Sequence, residues 1–93
     1  MEESCEWMSY CELWLETNNR QFRVAMFVPV GFELPEGFTR LESGDMGEKG
    51  FYVSDWYSGI AEAKSNIDRA AQFYSDLSIK FLYFREIRRP RTM

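Results

Sequence analysis

Residues 10–28 read YCELWLETNNRQFRVAMFV, and the alternation within this stretch decides the fold. Cys11, Leu13, Leu15 and Thr17 fall on one face of an extended segment, with Tyr10, Glu12, Trp14 and Glu16 on the other. Successive side chains of a strand point to opposite faces, so this period of two predicts a strand over 10–17. Asn18-Asn19 follows, a pair that tolerates the positive φ of a tight turn. Phe22, Val24, Met26 and Val28 then return with the same period, predicting a second strand over 20–28 and an antiparallel hairpin. Pro29 has no amide proton to give to a ladder and ends that strand.

Outward from the hairpin, Gly31, Pro35 and Gly37 mark a loop over 29–37, and 38–42 reads as a short third strand. Residues 43–50, with three glycines and little apolar content, form a turn, and 51–57 a fourth strand. At Ile60 the period changes. Ile60, Ala63, Ile67, Ala70, Ala71, Tyr74 and Leu77 recur at helical spacing, with Glu62, Lys64, Ser65, Asp68, Arg69, Gln72 and Asp76 opposite them. Ser58 or Gly59 caps the start, and Glu62 in the first turn suits the helix dipole. Residues 79–87 read as a last strand, stopped by Pro90.

The order strand–strand–strand–strand–helix–strand predicts an α+β, two-layer sandwich: a meander, mostly antiparallel, with one helix on one face. The helical crossover permits a last strand parallel to its neighbour. At 93 residues a single domain is expected over 1–93, with a lead-in arm over 1–8 and a basic tail over 88–93. One sheet face is expected under the helix and one toward solvent. Tyr10 and Trp14 on the first strand, and Leu82 and Phe84 on the last, exceed what one helix covers.

The residue inventory disfavours catalysis. There is no histidine, so the commonest general acid–base, metal ligand and triad member is missing. Gly44, Gly47 and Gly50 sit among acidic residues and lead into a strand, unlike a phosphate loop, which opens a helix. Glu42, Asp45 and Glu48 lack the ligand order of a calcium loop, and Glu33, Glu36 and Asp55 read as loop polarity. Cys5 and Cys11 fit no zinc spacing and read as reduced thiols, Cys11 in the core. A non-enzymatic protein without metal or cofactor is the expectation. No window approaches the roughly 18–20 apolar residues that cross a bilayer. The acidic start, Met1 to Glu6, is unlike a secretory signal, so no membrane association and a cytoplasmic location are expected.

The net charge of −4 hides an asymmetry. Residues 1–19 hold five Glu and no Lys or Arg, whereas 85–93 hold four Arg and one Glu. Such asymmetry bears on partners. Trp7, Tyr10, Trp14, Tyr83 and Phe84 are candidate contact residues on the uncovered face, flanked by Glu12, Glu16 and Arg85. Acidic neighbours suit a basic partner. In size, charge and lack of catalytic groups the chain resembles small acidic phage and mobile-element proteins, among them anti-CRISPR and anti-restriction inhibitors. That resemblance implies an inhibitor or adaptor that blocks a larger nucleic-acid-handling protein. Charge reversal at Glu12 and Glu16, or Trp14→Ala, is then expected to abolish binding without unfolding. The alternatives are a homodimer through the same face, a small-ligand or nucleotide pocket beside 29–37, and nucleic-acid binding by the basic tail. The acidic body disfavours the last of these.

Overall fold

The computed structural model describes residues 10–88, for Arg88 the backbone alone. The expected arm over 1–8 (with Trp7) and the tail beyond Arg88 lie outside the described residues. β1 (Cys11–Thr17) and β2 (Phe22–Pro29) form the hairpin, with Leu13 opposite Met26 and Leu15 opposite Val24. Its turn is held by Asn18, whose Oδ1 accepts the amides of Arg20 (3.1 Å) and Gln21 (2.8 Å). Asn19 takes a φ of 86°, a conformation that Asn tolerates better than most residues.

β3 is reduced to Thr39–Arg40, and a single 3-10 turn follows at Glu42–Gly44. β4 runs Lys49–Val53, α1 Ile60–Asp76 and β5 Phe81–Arg88. The result is one helix packed on a mostly antiparallel five-stranded sheet, an α+β fold as the periodicity predicts.

Two details depart from expectation. The sheet order is β3-β4-β2-β1-β5, so the first four strands are not a simple meander. β4 lies beside β2 because it brings Phe51 and Val53 against Phe27 and Ala25, all buried. β3 offers only the exposed Thr39 and Arg40 and takes the outer place. The fourth strand also stops at Val53 instead of reaching Tyr57. There Ser54 interrupts the ladder: its Oγ accepts the Val24 amide (2.9 Å), and the chain returns only for an isolated bridge between Tyr57 and Phe22. The expected parallel last strand is present, β5 pairing with β1.

The helix-side core joins Leu13, Leu15, Val24 and Met26 to Ala63, Ile67, Ala70 and Tyr74. Three of the helix's alanines (63, 70 and 71) are buried against the sheet. Tyr74 keeps its hydroxyl satisfied by donating to the carbonyl of Glu33 (2.8 Å), which ties the 29–38 loop to the helix.

Candidate functional site

The face opposite α1 is not the open surface that its aromatic content suggests. Trp14, Phe27 and Phe51 are 1–3% exposed and pack together, with ring centroids 5.3–6.0 Å apart. Leu41 and Phe84 pack against them. Trp14 is therefore a core residue, and the expectation that it is exposed for binding is corrected.

Glu16 is corrected in the same way. It is wholly buried, and each carboxylate oxygen is used: Trp14 Nε1–H donates to Oε2 (3.0 Å), and Arg23 Nε–H donates to Oε1 (2.9 Å). Arg23 lies with its guanidinium carbon 4.3 Å from the Trp56 ring centroid, a cation–π contact. The pair follows from the hairpin register, which puts Glu16 opposite Arg23. That register was readable once Thr17 and Phe22 were matched across the turn.

At the other end of this face Lys49 is buried, its ammonium 4.0 Å from the Tyr10 ring centroid. Burial lowers its pKa, and the nearby Cys11 and Glu12 partly restore it. Tyr10 and Glu12 are half-buried. The acidic strip read along β1 is thus mostly consumed inside the molecule.

Of the expected contact residues, Tyr83 and Arg85 are exposed and Phe84 is half-buried. All three stand on β5, which among the described residues pairs on one side only. Arg85 Nε lies 3.2 Å from Asp68 of α1, and Tyr83 donates its hydroxyl to the same carboxylate. Leu82 and Ile87 join them, at 45% and 37% exposure. Sequence reading had Leu82 among the apolar residues beyond the helix's cover but missed Ile87, because a strand buried on both faces and an edge strand share the same apolar run.

Two shallow grooves flank the start of β5. One, of about 280 Å³, is lined by Tyr10, Ile79, Lys80, Phe81 and Leu82. The other, of about 320 Å³, lies against α1 and is lined by Asp68, Ala71, Gln72, Ser75, Phe81 and Tyr83. Beside the 29–37 loop a further groove opens toward α1, lined by Pro35, Glu36, Arg69 and Phe73.

The acidic loop is also committed. Asp45 accepts Arg40 Nη2–H (2.6 Å) and the Phe51 amide (2.9 Å), and these bonds hold its pKa below the ordinary carboxylate value. Among the described residues no group of three or more acidic or cysteine side chains is placed to hold a metal ion. No described helix is long and apolar enough to cross a membrane. No protein-family model, curated protein or solved structure matches this chain.

Proposed function

We propose that this domain is a non-catalytic protein-interaction module, of the inhibitor or adaptor kind, that engages its partner through β5. One observation carries the reading: an eight-residue strand at the edge of the described sheet presents Leu82, Tyr83 and Ile87, each more than a third exposed. Exposed edges are templates for pairing, and one way proteins blunt an edge is to keep it very short. The opposite edge is blunted in that way, since β3 is two residues long.

Of the acidic residues expected to meet a basic partner, Glu16 lies in the core and Glu12 is half-buried, so β5 is the better-supported contact. Affinity capture from the native host tests the reading, comparing the wild type with Leu82→Glu and Ile87→Glu. Both substitutions fall at exposed positions, and circular dichroism checks that the fold is retained. Loss of the captured partner with either variant is expected. A partner held equally by all three proteins places the contact elsewhere and rejects the reading.

A further inference from the structure

We infer that the segment received by β5 is an extended, acidic peptide strand of another protein, added as a sixth strand to the sheet; this rests on the interaction reading above. Three observations converge on it.

The first is backbone geometry. The Lys80 carbonyl accepts the Cys11 amide (3.0 Å), so Lys80 turns its main chain toward β1. Strand groups alternate, which directs the N–H and C=O of Phe81 and Tyr83 to the outer edge. The pairing of β5 with β1 is regular from Phe81 to Tyr83 and then shifts register before Ile87. The short regular stretch is therefore where a docked strand finds its ladder.

The second is the pair of grooves. One opens beside Leu82 and Tyr10, the other beside Tyr83 and α1, and Phe81 lines both. An added strand needs room beside the edge for its side chains, and these hollows along β5 supply it.

The third is charge. Five of the eleven Lys and Arg residues lie between 80 and 91, against one of the fifteen Asp and Glu residues. The other residues then hold six basic against fourteen acidic side chains, a net −8. The segment of the sequence that contains β5 is basic in an otherwise acidic chain. An acidic strand is attracted to it, whereas a second copy of β5 brings like charge and a nucleic acid meets the acidic remainder.

Fluorescence anisotropy with two short labelled peptides, one alternating valine with glutamate and one valine with lysine, tests the inference. The acidic peptide is expected to bind about tenfold more tightly than the basic one, and Arg85→Glu to erase that preference. Tyr83→Pro, which removes an outward N–H that β1 does not use, is expected to abolish binding, while Tyr83→Val retains it. If Tyr83→Pro does not fold, the exposed Arg85→Glu variant carries the test.

Several results overturn the inference: no binding of the acidic peptide, equal binding of both peptides, or undiminished binding by folded Tyr83→Pro. So do oligothymidine bound as tightly as the acidic peptide, and a dimer seen by light scattering in the absence of peptide. If host capture still depends on Leu82 and Ile87 while the peptides are not discriminated, the interaction reading stands and the partner chemistry alone falls.

Discussion

Glu16 shows how one residue can be misread from sequence and how its surroundings correct it. On an exposed strand face it would be one of several acidic side chains; here both of its oxygens accept buried donors, from Trp14 and Arg23. Glutamine offers one oxygen, so its amide nitrogen would face a donor and the Arg23 charge would lose its counter-ion. Breaking a buried pair from one side is strongly destabilising. Glu16→Gln is expected to lower stability by about 3 kcal/mol in urea unfolding. Trp14→Ala would likewise report folding instead of binding, since it empties the centre of a packed aromatic cluster.

Cys11 makes the opposite case, a residue whose sequence reading as a core thiol holds. Burial pushes its pKa from 9.0 up to about 12, against a smaller lowering by Lys49 and Tyr74. A folded pKa raised above the unfolded value gives a contribution fully present below about pH 9 and lost as pH climbs from there toward 12. In a Cys5→Ser background, stability measured by urea is expected to fall across that window. Iodoacetamide at pH 8 should label native Cys11 more than about a hundredfold slower than the unfolded chain, because the thiolate is the nucleophile.

At the scale of elements, α1 is defined by its alanines and by its stop. Ser78 has a φ of 60°, its amide donates to Ser75 O (3.0 Å), and the Ile79 amide donates to Tyr74 O (3.0 Å). This is the Schellman arrangement, in which glycine commonly holds the left-handed position. Serine there pays a steric penalty for its Cβ that glycine avoids. Ser78→Gly is expected to raise the thermal midpoint, with a stabilisation of about 0.5–1 kcal/mol. A fall in the midpoint would mean that the serine side chain contributes more than its strain removes. The helix itself was legible because its apolar spacing is long and regular. β3 was legible as a short strand within 38–42, but its reduction to Thr39–Arg40 was not, because the segment contains no buried alternation to fix its ends.

For the whole molecule, β1 and β2 are shared by two cores, one beneath α1 and one beneath the aromatic cluster. Neither core can open without disturbing the same two strands, so the described fold should unfold as one cooperative unit. Far-UV dichroism and tryptophan fluorescence, followed in a Trp7→Phe background, are expected to give coincident urea transitions. Separate midpoints would show that the two faces melt independently.

Periodicity and turn chemistry determined the hairpin, the helix, the final strand and the α+β class. These are local patterns, and a residue's neighbours in the chain are enough to set them. The exposure of the candidate contact residues was only partly legible: Tyr83 and Arg85 are exposed on the edge strand of the described sheet, while Trp14 and Glu16 go to the interior. Alternation tells which residues share a face but not whether that face is covered, because cover comes from segments distant in sequence. Tertiary structure alone decided that β4 lies beside β2, that Glu16 meets Arg23 in the core, and that β5 stands at the edge of the described sheet.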